Sequence, residues 1–168
     1  MNPKLARVQK GTGNRQFRAM VSRGLCSLST LLGLPLASFP QTPTPVELIR
    51  VEVSGMRNDN GQIVCALFSS AADFPKKGDN AVAQAKGLIS HGHSACEFPG
   101  VAPGRYAVSV FHDENSNGKM DTNFMGIPRE GVGASNNARG HFGPPKFDDA
   151  AFRYSGGQLD LTITIAYL

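Results

Sequence analysis

The chain predicts an all-β fold: an antiparallel β-sandwich of immunoglobulin-like or transthyretin-like topology, with one long ordered loop. Three observations predict it. Apolar residues recur at every second position in several short runs, as half-buried strands require. Clusters of Gly, Pro and Asn separate those runs at the spacing of sandwich strands. Helical periodicity is confined to residues 80–86, and only briefly.

The elements follow in order. Residues 1–37 read as an export signal, because Lys4, Arg7, Lys10, Arg15, Arg18 and Arg23 precede the apolar stretch "LCSLSTLLGLPLA" and no acid appears before Glu47. That stretch is too short and too rich in Ser and Thr to span a bilayer. Cleavage falls near Ala37 or Ser38, and Met20 offers an alternative start that leaves a leader of ordinary length. Residues 38–45 form a Pro/Thr spacer whose fixed φ values favour extended chain. The domain occupies residues 46–168, which is enough for one ordinary core.

Within it, Ile49, Val51 and Val53 alternate with Arg50, Glu52 and Ser54 as one strand, and "GMRNDNG" turns the chain. "QIVCALF" is apolar on both faces, which suits a central strand. "ACEFPGV" and "GRYAVSVFH" repeat the alternation, the Pro-Gly turn before the second being a hairpin entry of the transthyretin-like kind. "QLDLTITIAYL" closes the series, with Leu159, Leu161, Ile163, Ile165 and Tyr167 on one face. Residues 113–149 contain no strand-like run. A compact domain carries so long a connection only for function or as disorder, and Phe124, Ile127, Phe142, Phe147 and Phe152 argue for order.

Charge excludes one class of partner. The formal charge is +4, but six of the 17 Lys and Arg lie in the leader, which leaves 11 against 13 acids in the remainder. The domain therefore lacks the basic face that nucleic-acid binding needs. With the leader removed no membrane span is expected, and the protein is expected in the periplasm or secreted. Cys65 shares a face with Ile63 and Leu67, and Cys96 with Phe98, so both point to a core. In an oxidising compartment they pair if their Cα atoms lie within about 7 Å, and otherwise behave as small buried hydrophobes.

"FHDENSNGKMDTNFMGIP" (residues 111–128) follows a strand and places Asp113, Asn115, Asn117, Gly118 and Asp121 at positions 1, 3, 5, 6 and 9 of a calcium loop. Position 12, where a bidentate acid should close the coordination sphere, is Phe124. Asn-Gly and Asx side chains also make turns without any ion. The stretch reads as a turn first and a calcium site second, so no cofactor is required and calcium is the one candidate. His91 and His93 have the spacing of a transition-metal pair, but the glycine between them favours a loop.

Two functional readings stand. The first is a non-catalytic exported module that binds an unknown ligand, a glycan or a protein, through the 113–149 loop, with His112, Asn136, Asn137 and Arg139 as candidate contacts. The second is a small hydrolase acting on glycan or ester substrates, with His112 as base beside Asp113 or Glu114 and with His141 brought over by the loop. Gly133-Ala134-Ser135-Asn136-Asn137 lacks the second glycine of a nucleophile elbow, so a serine hydrolase is not indicated.

These blocks carry a resemblance. "HDENSNGKMDTNFMGIP" and "FGPPKFDDAAF", with "VSGMRNDNGQIVCALF" before and "LTITIAYL" after, resemble the bacterial exported family catalogued as domain of unknown function 2141, over residues 46–168. The resemblance implies an exported β-sandwich and supplies no reaction. In "EGVGASNN", Ala134 stands where that pattern leads one to expect an aromatic.

Overall fold

The computed structural model describes residues 46–168. The residues read as an export leader and spacer, 1–45, lie outside the described residues. Eight strands form two packed sheets: β1 (Leu48–Ser54), β2 (Gln62–Phe68), β3 (Ala83–Leu88), β4 (His93–Pro99), β5 (Gly104–Asp113), β6 (Val132–Ala134), β7 (Phe152–Tyr154) and β8 (Gln158–Thr164). One sheet has the order β4-β1-β8 and the other β3-β2-β5-β6, with β7 pairing the start of β5. Pairing is antiparallel except between β1 and β8, which run parallel in register from Leu48↔Gln158 to Ser54↔Thr164.

Period-two alternation explains the core between the sheets. Ile49, Val51 and Val53 face Ile63, Cys65 and Leu67, with Phe98, Val108, Val110 and Ile163 completing the cluster. Cys65 on β2 and Cys96 on β4 are joined by a disulfide with Cα atoms 6.4 Å apart, so the staple crosses from one sheet to the other. β2 lies between β3 and β5 and is buried on both faces, as its unbroken apolar run requires. Its second face, Ala66 and Phe68, meets Ala107, Ala134, Phe147 and Ala150. There Phe68, Phe74 and Phe147 stack edge to face at 5.5 and 5.8 Å, a geometry worth about 1 kcal/mol per pair beyond the area buried.

Two expectations are corrected. Residues 80–86 are not helical: a 3-10 turn spans Gly78–Asn80 and the chain then enters β3. Residues 113–149 do contain a strand, β6, which pairs with β5 through Ser109↔Ala134 and Phe111↔Val132, and a single helical turn, α1 (Phe147–Ala150). The glycines of "GVGA" hid β6, since they contribute no side chain to a period. They are needed there: a Cβ on Gly133 would lie 2.8 Å from the Ile163 Cγ2. Finally, the aromatics of the loop divide. Phe147 is buried and Phe152 half-buried, whereas Phe124, Ile127 and Phe142 are exposed.

Candidate functional site

The site begins where β5 ends, at two fully buried polar residues, His112 and Asp113. His112 Nε2 lies 2.7 Å from the carbonyl of Asn60, which can only accept, so Nε2 carries the proton. In the neutral ring Nδ1 then accepts from the Tyr167 hydroxyl at 2.7 Å, and the Tyr167 oxygen in turn accepts the Arg57 backbone N–H at 3.1 Å. Burial pushes the Tyr167 hydroxyl above its ordinary pKa, and the nearby Glu114 charge adds to this while the Arg57 amide opposes it. The Arg57 guanidinium stands 4.5 Å over the Tyr167 ring and pairs with Glu114 at 2.7 Å. Both nitrogens of His112 are thus committed to the fold.

Asp113 holds the turn that follows. Its Oδ2 accepts from Gln62 Nε2 and from the Gly118 backbone N–H, each at 2.8 Å, and its Oδ1 accepts from Asn117 N–H at 3.0 Å. Asn115 and Asn117 direct their amide NH2 groups to the two oxygens of Asp121, at 2.7 and 3.2 Å. Their own oxygens accept the backbone N–H of Asn117 and Lys119. Glu130 staples the base: nearly buried, it accepts Glu114 N–H with one oxygen and Asp121 N–H with the other, both at 3.0 Å. Gly61 closes the approach from the other side, with φ +72° and no room for a Cβ against the Asp113 carbonyl.

The structure therefore brings Asp113, Asn115, Asn117 and Asp121 together, as the spacing predicts. It arranges them as a hydrogen-bonded turn in which amide N–H groups, not carbonyl oxygens, face the acids. A calcium ion needs six or more oxygens, so the two asparagines would have to turn over to serve one. No group of three His, Cys, Asp or Glu side chains with metal-holding geometry occurs among the described residues. His91 and His93 flank a tight turn at Gly92 whose backbone N–H groups bind the Asp59 carboxylate.

Asn136 and Asn137 prove to be pins. Both adopt left-handed φ values, 60° and 51°, which asparagine tolerates better than most residues. Asn136 Nδ2 donates to the carbonyls of Asp149 and Ala151, and Asn137 Oδ1 accepts the Thr164 N–H at 2.8 Å, tying the loop to α1 and to β8. Buried Ser135 joins them, accepting from Val108 N–H and donating to the Ala150 carbonyl. Arg139 and His141 are exposed. Among the described residues no hydrogen bond or ion pair joins His141 to His112 or Glu114, and His112 Nδ1 stands 4.0 Å from the Glu114 carboxylate.

Sequence reasoning missed Tyr167 as part of this base, whereas Glu130 could be foreseen as an acid that the long loop brings to the turn. It also missed the apolar tip, Phe124 and Met125, which the base supports. A surface depression lined by Pro103, Gly104, Arg153, Tyr154 and Ser155 lies at the opposite end of β5. No described helix is long and apolar enough to cross a membrane.

A two-sheet module stapled by an internal disulfide, with a buried polar base that displays one long loop, is the class of protein these features define. The chain belongs to the family described as "Uncharacterized protein conserved in bacteria (DUF2141)", whose model matches residues 51–162, in agreement with the resemblance in sequence. That span runs from β1 into β8. No curated protein and no solved structure matches the chain.

Proposed function

We propose that the protein is an exported, non-catalytic β-sandwich module that binds its partner through the 113–149 loop. The observation that carries this reading is the division of labour within the loop. Its polar side chains, among them Asp113, Asn115, Asn117, Asp121, Glu130, Ser135, Asn136 and Asn137, are spent on fixing the backbone. The large apolar side chains Phe124, Met125 and Phe142 are left in solvent. A surface loop whose backbone is fixed while its large apolar side chains stay exposed suits a binding surface, since grouped exposed apolar side chains mark interaction sites. The buried disulfide supports export, because such bonds persist in oxidising compartments. Calcium remains a secondary proposal, as an ion that would order the 113–121 turn.

A hydrolase would need His112 free to take a proton, and here both ring nitrogens are engaged and shielded from solvent. Of the loop candidates, His112, Asn136 and Asn137 serve the fold in this reading, and Arg139 stays a contact residue. The test is a screen of glycans and candidate proteins, read by thermal shift on the purified protein and on a Phe124→Ser/Phe142→Ser variant. A ligand that stabilises the first and not the second supports the reading. Ester or glycoside turnover that disappears in His112→Gln would replace it with the hydrolase.

A further inference from the structure

The loop's outer part, residues 119–129, is a small hairpin closed on itself. Arg129 N–H donates to the Asp121 carbonyl, Asn123 N–H to that of Ile127, and Gly126 N–H to that of Asn123, each at 2.9 Å. Thr122 and Pro128 form an antiparallel bridge. The Asn123 side-chain oxygen accepts two further N–H groups, from Met125 at 2.9 Å and Ile127 at 3.0 Å. Pro128 has no N–H to satisfy. From Asn123 to Arg129 every backbone donor except that of Phe124 is therefore paired inside the hairpin.

On this frame stand Phe124, 98% exposed, Met125, 69%, Ile127, 41%, and Met120, 39%. Lys119 and Arg129 flank them. The only acid between those two positions, Asp121, is occupied by the amides of Asn115 and Asn117. We propose that this hairpin is a membrane-surface anchor, seating Phe124 and Met125 in the interfacial zone of an anionic bilayer with Lys119 and Arg129 at the level of the headgroups.

Three features select lipid over other occupants. An apolar medium penalises unpaired backbone groups, and this tip pairs its N–H donors within itself apart from that of Phe124, while the Phe124, Met125 and Gly126 carbonyls are left to the hydrated headgroup level. Phe124 and Met125 stand in solvent at the turn of the hairpin, so they can sink into a fluid interface without a preformed groove to receive them. The hairpin's flanking charge is positive while the domain as a whole carries more acids than bases, so anionic lipid would attract the tip selectively. The inference rests on the reading that this loop is the binding element, and it names the partner.

Flotation with vesicles of phosphatidylcholine alone, or with about one third phosphatidylglycerol, tests it at millimolar lipid, since one short anchor binds weakly. The purified protein should float with the anionic vesicles. Phe124→Ser/Met125→Ser should lower the partition about tenfold or more, the scale of burying two such side chains in part. Lys119→Gln should lower it about fivefold, the worth of one cation near an anionic surface. Both tip residues are exposed, so the melting temperature should not move, which separates loss of binding from loss of fold. Because the chain has no tryptophan, Phe124→Trp supplies a single reporter whose emission should shift to the blue with anionic vesicles and be quenched by brominated lipid. Absence of flotation together with an unchanged Phe124→Trp spectrum overturns the proposal. If the double variant instead turns a dimer into a monomer, or loses a glycan or protein ligand, the lipid inference fails and the binding loop stands. If tip variants alter none of these, both fail together.

Discussion

Asp113→Ala is the substitution that most directly tests whether the calcium-like stretch is held by its own hydrogen bonds. The carboxylate is fully buried and accepts three bonds, from Gln62 Nε2, Gly118 N–H and Asn117 N–H. Truncation leaves these donors with unequal prospects. Asn117 N–H retains a second acceptor, the Asn115 side chain at 3.1 Å, and half-buried Gln62 can turn to water. Gly118 N–H loses its only protein acceptor. A bond to a charged group is worth about 1.5–3 kcal/mol, so with the Gly118 bond alone lost outright the change should be about 1.5–3 kcal/mol. Asp113→Asn keeps one acceptor and should cost about half as much. Urea unfolding followed by far-UV circular dichroism gives the values at constant m. Asp113→Ala within 0.5 kcal/mol of the wild type would refute the argument. So would a calcium-dependent rise in stability that vanishes in both Asp113→Ala and Asp121→Ala, because the loop would then be built for an ion.

Opening the Cys65–Cys96 staple, which closes a loop of 31 residues, should cost about 4 kcal/mol and lower the melting temperature by roughly 10–20 °C. Calorimetry of Cys65→Ala/Cys96→Ala measures it, and a drop of only a few degrees would count against the entropic account. Tyr167→Phe leaves His112 Nδ1 and Arg57 N–H without that hydroxyl and should cost about 1–3 kcal/mol at pH 7. Burial raises the Tyr167 pKa in the folded state, so the stability it contributes is complete below about pH 10 and is lost as pH rises through the folded value. Wild-type stability should thus fall above about pH 10, and Tyr167→Phe should fall less steeply; equal slopes in titrated urea melts would contradict this. Gly61→Ala combines a left-handed backbone with a Cβ driven into the Asp113 carbonyl, and should destabilise by about 2–5 kcal/mol by chemical denaturation.

Alternation made β1, β2, β4, β5 and β8 legible, because each buries one or both faces and writes that burial into its composition. β3 was not legible. "AQAKGL" is built of helix formers, and it becomes a strand only because β2 offers an open edge, from Gln62↔Leu88 to Leu67↔Ala83. β6 and β7 are three residues each, too short for any period to register. At the site, the Asn-Gly step and the Asx spacing correctly gave a turn. The roles of Asn136 and Asn137 did not follow from sequence, since the carbonyls they satisfy are 13 and 15 residues away and the Thr164 amide is 27 away. Exposed and buried phenylalanines read alike in a sequence, which is why the apolar tip appears only in three dimensions. His112 shows the same limit: a histidine at a strand end reads as a solvated side chain or a base, and only the fold reveals that it is buried with both ring nitrogens hydrogen-bonded.

The parallel pairing of β1 with β8 sets a timetable for the chain. Residues that face each other across that ladder are 110 positions apart, and β1 is the middle strand of its sheet. In a polypeptide growing from its N-terminus, β1 lacks one neighbour until residues 158–164 emerge. Contacts of such separation form slowly, and the open edge is sticky meanwhile. Folding of the β4-β1-β8 sheet is therefore gated by the emergence of residues 158–164, and until then β1 presents an edge open to wrong pairing.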